Sequence, residues 1–170
     1  VLALQETKLS DERFPAAEIE AAGYRAVWFG QKTYNGVALL AREPIADVVC
    51  GNPHFPDEQK RLISGTVGDT RVICAYMPNG QEVGCDKYDY KLRWLDSLAV
   101  WVGEEMAKYP KLALCGDYNI APDDRDVHDP KRWADCILVS PPERAAFQRF
   151  LGLGLSDSFR LFEQPEKTFS

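Results

Sequence analysis

The sequence is poor in histidine, and it carries no excess of positive charge. Its 170 residues include two histidines, and 20 Lys and Arg stand against 26 Asp and Glu, which gives a net charge of −6. Proteins that coat nucleic acid indiscriminately usually have a broad basic surface, so any contact with DNA would have to be local. His54 and His128 lie beside Pro and Asp residues in predicted loops, and we interpret both as surface residues that do not serve as catalytic bases.

Long hydrophobic runs and paired cysteine motifs are also absent from the sequence. The longest apolar runs, at residues 36–41 and 112–115, are much shorter than the roughly 20 residues of a transmembrane helix. No basic segment followed by an apolar stretch opens the chain. Five cysteines form no CxxC pair, and their odd number leaves one unpaired in any all-disulfide scheme. We therefore expect reduced thiols in a cytoplasmic protein that has no membrane partner.

Motifs of several enzyme classes are missing as well. The chain has no Walker A motif, no GxGxxG and no GxSxG elbow, so nucleotide-cofactor and serine-hydrolase interpretations lack support. No repeat, low-complexity tract or Gly/Ser linker divides it, and residues 1–170 are predicted to form a single domain. A hydrophobic content of 45% is sufficient for a substantial core.

The apolar pattern predicts a mixture of strands and helices. Strands are predicted at residues 1–5, 24–29, 36–41, 45–49 and 112–116. Residues 61–67 and 70–77 are predicted to form a hairpin, since Gly68-Asp69 suits a type II′ turn. Helices are predicted at 15–22, at 88–109 before Pro110, and from a capping box at Ser140 to about residue 151. Adjacent strands without a helix between them argue against a purely parallel sheet, so we predict an α/β (α+β) fold in which helices cover a mixed pair of sheets.

Three oxygen-bearing side chains come directly after predicted buried strands. Glu6 follows the first strand, while Asp117 and Asn119 follow the last, where residues two apart project to the same side. Such side chains suit Mg²⁺, a hard cation that takes oxygen ligands and commonly uses one or two carboxylates together with substrate phosphate. A solvated strand-end glutamate and a turn held by side-chain hydrogen bonds have the same signature, so the residues alone leave these interpretations open.

Tyr76 ends the second hairpin strand, where alternation places it on the same face as Val72 and Cys74. Its phenol is a hydrogen-bond donor at neutral pH and suits a phosphate oxygen, but an ordinary core tyrosine fits the same pattern. Cations and aromatic residues are also interleaved at residues 32–36, at Arg61 and at residues 87–91. These residues can contact phosphates and stack on bases, although a solvated face is the commoner explanation for each one singly.

Several segments taken together resemble the exonuclease III branch of the endonuclease/exonuclease/phosphatase superfamily. In chain order they are LQETK at 4–8, YNGVA at 34–38, YMPNG at 76–80 and GDYNIAP at 116–122, with further matches in KRW at 131–133, PER at 142–144 and the run at 154–160. QETK and GDxN in this order form a specific signal, whereas any one of these motifs would be weak.

The resemblance implies a four-layered α/β sandwich of the deoxyribonuclease-I type and a DNA repair nuclease that depends on Mg²⁺, with Mn²⁺ as an alternative. Such an enzyme hydrolyses phosphodiesters 5′ to abasic sites in double-stranded DNA, leaves a 3′ hydroxyl, and acts at 3′ ends as a 3′–5′ exonuclease and 3′ phosphatase. The resemblance also implies a monomer in a bacterial-type cytoplasm, where it works at the nucleoid.

The resemblance assigns roles to residues of this chain. Glu6, Asp117 and Asn119 are implied metal ligands. Asp117 would also orient or deprotonate the attacking water, Asn119 would stabilise the reacting phosphate, and Tyr76 would lie at the active site. The expected DNA contacts are Lys8, Tyr34, Asn35, Arg61, Asn79 and Lys87, although the family often has glutamine where this chain has Asn79.

The chain also departs from the family pattern, and two other functions stay open. The family has an asparagine on a strand before the first helix and an Asp-His pair near its C-terminus, and neither is present here. We therefore expect the domain to be truncated at both ends and the isolated 170 residues to be inactive or nearly so. The alternatives are another metal-dependent phosphoesterase of the superfamily and a non-catalytic relative that binds nucleic acid or protein.

Overall fold

The computed structural model describes residues 1–165 and residue 168. Contacts divide the chain into two compact units, each assembled from two stretches of sequence. The first unit contains Val1–Met77 and Val100–Tyr118, and the second contains Pro78–Ala99 and Asn119–Ser170.

The first unit contains two β-sheets. Their strands are β1 (Leu2–Gln5), β2 (Arg25–Phe29), β3 (Val37–Ala41), β4 (Ile45–Cys50), β5 (Leu62–Val67), β6 (Thr70–Tyr76) and β7 (Leu112–Asp117). One sheet has the order β1-β3-β2 and is antiparallel, and the other has the order β4-β5-β6-β7. The β6 and β7 strands are parallel, whereas β4, β5 and β6 are antiparallel neighbours. The predicted mixed sheet pair is therefore confirmed.

The core of this unit lies between the two sheets. Val37 and Leu39 of β3 pack with Ile63 of β5 and with Val72 and Cys74 of β6. Strand residues two apart share a face, so Tyr76 lies on the same inward face of β6 and packs at the edge of this cluster. Tyr76 is thus anchored in the core and also stands at the end of its strand.

Residues 1–165 and 168 contain four α-helices. They are α1 (Ala16–Ala21), α2 (Asp86–Lys108), α3 (Pro130–Trp133) and α4 (Pro141–Gly152). The chain passes through α2 between the parallel strands β6 and β7, as a parallel pair requires a long crossover. Within residues 1–165 and 168, we find no helix that is both long enough and apolar enough to span a bilayer.

The predicted elements are found with small shifts at their ends. The β5–β6 hairpin turns at Gly68, which has a positive φ of 59°, whereas Asp69 has none, in keeping with a type II′ turn. At the start of α4 the Glu143 carboxylate accepts the backbone N–H of Ser140 at 3.2 Å, as the capping box predicts. The sequence pattern missed α3, because this helix has one turn and no apolar periodicity.

Candidate active site

Glu6 stands immediately after β1, in a turn that is bonded to the loop before β3. Glu6 and Lys8 both have positive φ angles, 52° and 55°. The backbone N–H of Lys8 donates to the carbonyl of Asn35 at 3.0 Å, and that of Thr7 donates to the carbonyl of Gly36 at 3.2 Å. A Cβ on Gly36 would lie 2.2 Å from the Thr7 hydroxyl, so only glycine lets the two segments approach this closely.

Tyr76 and Asp117 stand side by side where β6 and β7 end. They are Cα partners in the parallel register, and the backbone N–H of Met77 donates to the Asp117 carbonyl at 2.9 Å. Gly116, directly before Asp117, has a φ of 136°, and a Cβ there would lie 1.9 Å from the carbonyl oxygen of Ala75. The sequence thus places a carboxylate on a rigid strand end through a close backbone contact that only glycine allows.

Electrostatics connect Glu6 to Tyr76. The pKa of Glu6 is lowered first by its hydrogen bond with Lys8, whose Nζ lies 2.8 Å from Glu6 Oε2, and next by a hydrogen bond with Tyr76. Burial raises the pKa of Tyr76, and its bond to Glu6 and the charge of Asp117 raise it further. At neutral pH the site therefore holds an ionised Glu6 carboxylate beside a protonated phenol that donates to it.

Arg61 packs against Tyr76 and lies near Glu6. Its guanidinium lies 4.8 Å from the centre of the Tyr76 ring, and its Nη1 donates to the Tyr76 carbonyl at 3.2 Å. Its Nε donates to Gln59 Oε1 at 2.8 Å. The backbone N–H of Tyr76 in turn donates to the Arg61 carbonyl at 2.7 Å. Arg61 adds positive charge near Glu6, which contributes to the lowered pKa of that carboxyl.

The carboxylate oxygens at these strand ends suit a magnesium ion. Glu6 and Asp117 are exposed carboxylates, and both act electrostatically on Tyr76. Across residues 1–165 and 168, no three His, Cys, Asp or Glu side chains form a group that could enclose a metal ion. Mg²⁺ does not need such a cage, since it keeps several waters and uses one or two carboxylates together with substrate phosphate.

The other two predicted polar residues lie in the second unit and contact each other. Nδ2 of Asn79 donates to Oδ1 of Asn119 at 3.1 Å. Asn119 has a positive φ of 49°, and Gly80, next to Asn79, has one of 90°. The side-chain oxygen of Asn79 also accepts the backbone N–H of Gln81 at 3.1 Å.

A buried ion pair supports these two asparagines. Nζ of Lys91 donates to the backbone carbonyls of Asn79, at 3.1 Å, and Asn119, at 2.6 Å. It also donates to the Glu143 carboxylate, and both side chains are 0% exposed. Lys91 therefore fits neither of the two interpretations open from the sequence, phosphate contact or a solvated face, because its ammonium group is buried against backbone carbonyls.

The remaining predicted DNA contacts differ in their accessibility. Tyr34 is 68% exposed in the loop before β3, and Lys87 is exposed in the first turn of α2. Lys8 is exposed and paired with Glu6. Asn35, in contrast, is only 6% exposed, and its amide donates to Gln31 Oε1 at 2.9 Å. In the first unit, the structure brings Lys8, Glu6, Tyr76, Asp117 and Arg61 to the same strand ends.

Sequence reasoning missed the residues that hold the candidate site. Lys91 and Glu143 are two of them, and Gly36 and Gly116 are two more. A lysine amid the apolar spacing of α2 was the available signal for Lys91, although a lysine at the start of a helix is usually solvated. Both histidines are surface residues, as predicted. His54 is exposed, with its Nε2 2.9 Å from Glu104 Oε2, and His128 is also exposed.

Comparison with known proteins identifies the family and the class of fold. The profile of the Endonuclease/Exonuclease/phosphatase family matches residues 1–161. Exodeoxyribonuclease III of Haemophilus influenzae is 35% identical to this chain, in a match that covers 94% of this chain and 64% of that protein. The chain thus spans just under two thirds of the length of this curated relative.

Two solved structures agree with this relationship. A 3′ phosphatase from Neisseria, NExo, bound to a product DNA hairpin, has a TM-score of 0.93 and 46% identity over 94% of this chain and 63% of its own. An AP endonuclease from Archaeoglobus fulgidus has a TM-score of 0.89 and 34% identity over 94% of this chain and 62% of its own.

The protein belongs to the Endonuclease/Exonuclease/phosphatase family. The similarity to its exonuclease III branch that the motifs predict is confirmed, and so is the mixed α/β fold with two sheets.

Proposed function

We propose that this protein acts as a DNA repair nuclease that hydrolyses phosphodiesters 5′ to abasic sites and removes nucleotides or phosphate from 3′ ends. The observation that carries the proposal is the corner formed by Glu6, Tyr76 and Asp117, where two carboxylates flank one protonated phenol at adjoining strand ends. The names of the relatives support it, since they include an exodeoxyribonuclease III, a 3′ phosphatase bound to DNA and an AP endonuclease.

Each polar residue has a role in this proposal. The Asp117 carboxylate orients the attacking water or accepts its proton, for which a carboxylate held rigidly on a strand end is well suited. The Tyr76 phenol stays protonated and donates a hydrogen bond to a phosphate oxygen. Asn119, whose amide is fixed by Asn79, stabilises the charge that develops on the phosphate.

The proposal includes a divalent cation, with Mg²⁺ as the preferred ion and Mn²⁺ as the alternative. Glu6 and Asp117 would hold it through carboxylate oxygens, and the oxygen of Asn119 is the third proposed ligand. When bound, the ion supplies positive charge at the phosphate and at the leaving 3′ oxygen. Glu6 is suited to this task because Lys8 and Tyr76 keep its pKa low, so that it is ionised at neutral pH.

The proposed substrate is double-stranded DNA that carries an abasic site or a recessed 3′ end. Lys8, Tyr34, Arg61, Asn79 and Lys87 are the proposed contacts, and the buried Asn35 would act through the shape of its loop. The predicted monomeric state and bacterial cytoplasmic location stay predictions that sedimentation and cell fractionation would check.

A competition between substrate classes tests the function. The full-length protein is incubated with Mg²⁺ and an end-labelled duplex with one abasic site, and separately with soluble phosphomonoesters and phosphoinositide or sphingolipid headgroups. We expect incision 5′ to the abasic site with kcat/KM well above that for the other substrates. Higher activity on headgroups would favour another phosphoesterase of the family, and activity on none of them would favour a non-catalytic relative.

A further inference from the structure

We infer that Lys91 is a positioning residue, which holds Asn79 and Asn119 in place by donating hydrogen bonds to their backbone carbonyls. The inference rests on the proposed function, in which Asn119 acts on the phosphate. Lys91 is 0% exposed and contacts the two loops from within the protein, so it has no direct access to DNA.

The geometry forms a closed ring within the second unit. On one side Lys91 Nζ donates to the carbonyls of Asn79 and Asn119, at 3.1 and 2.6 Å. On the other side the two side chains are joined by the 3.1 Å bond from Asn79 Nδ2 to Asn119 Oδ1. One ammonium group therefore fixes the backbone of both segments, while the hydrogen bond between the two side-chain amides fixes the rotamers of Asn79 and Asn119.

The far end of the network anchors Lys91 to α4. Glu143 accepts a hydrogen bond from Lys91 through Oε1, and its Oε2 accepts the Ser140 hydroxyl at 2.6 Å and the Ser140 backbone N–H at 3.2 Å. The Ser140 hydroxyl also lies 2.7 Å from the Tyr88 hydroxyl. Glu143 thus balances the buried charge of Lys91, while the hydrogen bonds from Lys91 to the two carbonyls position the loops.

The backbone at both loops needs such support. Asn119 has a positive φ of 49°, a conformation that costs free energy in residues with a Cβ and persists only where the surroundings impose it. Gly80 has a φ of 90°, and a Cβ there would lie 3.0 Å from Cδ of Lys91, so this loop packs directly on the lysine stem.

Stability alone does not explain a buried ion pair at this place. Apolar residues of similar volume usually stabilise a fold as well as a buried ion pair does, or better. What they cannot do is donate hydrogen bonds to two carbonyls. The chain also offers a matched pair for comparison: Arg71 and Glu105 are 1% and 5% exposed in the first unit, and Arg71 donates to Glu105 at 2.6 Å.

The experiment compares two apolar replacements in the full-length protein, Lys91→Met/Glu143→Leu and the control Arg71→Met/Glu105→Leu. Melting temperature, kcat and KM on an abasic duplex are measured for both. We expect kcat of the Lys91 variant to fall roughly 10- to 100-fold, the scale of a misplaced catalytic group, with KM nearly unchanged. The control should keep kcat within about threefold at a similar change in melting temperature. Equal kcat in the two variants would overturn the inference.

A third variant separates Lys91 from the start of α4. Ser140→Ala weakens the bonds that Glu143 makes there but leaves Lys91 and its carbonyl partners in place. Its kcat should stay near that of the wild type. A loss as large as that of the Lys91 variant would show that helix α4, and not Lys91, sets the loops, which contradicts the inference.

Nuclear magnetic resonance gives a readout that is independent of the proposed activity. In the wild type the Lys91 ammonium protons should exchange slowly with water and show scalar coupling to the carbonyl carbons of Asn79 and Asn119. In the Lys91 variant, and not in the control, the amide signals of both asparagines should shift. Rapidly exchanging Lys91 protons without such couplings would overturn the inference even if the variants do not fold. If the wild type cut no DNA, the proposed function would fail, while these signals would still decide the role of Lys91.

Discussion

Tyr76 connects most of the chemistry in the first unit. Its ring packs on the inner core, its phenol bonds Glu6, and its backbone is paired with Arg61 and Asp117. Because its pKa is raised by burial and by the neighbouring carboxylates, the phenol remains a donor across the physiological range. Individual residues thus explain why the carboxylates of this corner are held in defined positions.

The Asp117 carboxylate is the group on which hydrolysis depends in this account. Asp117→Asn keeps the size of the side chain but removes its negative charge and its ability to accept a proton. We expect kcat on an abasic duplex to fall by several orders of magnitude while the Kd for DNA changes little.

Asp69→Asn is the matched control for Asp117. Asp69 lies in the turn between β5 and β6, where it pairs with Lys111 at 2.5 Å and is exposed. Its replacement should leave kcat within about twofold of the wild type. An Asp117→Asn protein with wild-type turnover in the same assay would remove Asp117 from the mechanism.

The cysteines differ in reactivity for physical reasons. Burial raises the pKa of Cys74 to about 12, whereas backbone N–H groups at the start of α2, that of Tyr88 foremost, lower the pKa of Cys85. A raised pKa means that the thiolate is scarce at pH 8 and increases only as the pH approaches that value. With iodoacetamide at pH 8, Cys85 should therefore be alkylated in the folded protein and Cys74 only after unfolding, as mass spectrometry would show. Early labelling of Cys74 would contradict the packing of β6.

At the scale of elements, the end of β7 depends on one glycine. A Cβ at Gly116 would overlap the Ala75 carbonyl, and the φ of 136° disfavours other residues. Gly116→Ala should lower the free energy of unfolding by at least about 2 kcal/mol, because the backbone of β7 must move away from β6. Urea denaturation would measure the change.

Gly152 provides the comparison for that substitution. It ends α4, and a Cβ there would meet nothing within 4 Å. Gly152→Ala should therefore be neutral or stabilise the protein by up to about 1 kcal/mol. Similar losses in the two variants would mean that the close approach of β7 to β6 is not the cause.

The helices and strands with a strong hydrophobic periodicity were predictable from the sequence, and those without such a periodicity were not. The apolar spacing of α2 and the alternation in β6 identify their type and their buried faces. The helix α3 has a single turn that begins with Asp129 as its N-cap and Pro130, so no periodicity is available to reveal it.

The site was predictable only in part for a related reason. Strand ends with polar residues indicate where Glu6, Tyr76 and Asp117 stand, and the order of the motifs indicates the family. The buried Lys91 and Glu143 are 52 residues apart in sequence, and no local pattern shows that two charged residues so far apart form a pair. The roles of Gly36 and Gly116 likewise depend on close approaches between segments that only the structure shows.

At the scale of the whole molecule, a net charge of −6 has to be reconciled with DNA as the proposed substrate. Binding would rely on a few local cations, each of which adds about one unit to the slope of log K against log salt. Lys87→Ala should therefore lower the magnitude of that slope by about 1, measured by fluorescence anisotropy at several salt concentrations. Lys111→Ala, which removes a cation paired with Asp69, should leave it unchanged, and equal slopes for both variants would exclude Lys87 from the DNA contacts.

In the proposed function, carboxylates from two distant stretches of the chain bind one divalent cation. The most direct measurement is a titration of the full-length protein with Mn²⁺, in which paramagnetic broadening of the side-chain carboxyl signals is followed by ¹³C resonance. We predict that the signals of Glu6 and Asp117 broaden together at the same Mn²⁺ concentration and recover together when Mg²⁺ is added, and that the Asp117 signal loses this response in Glu6→Gln. Broadening of one carboxylate without the other, or of neither, would contradict the account.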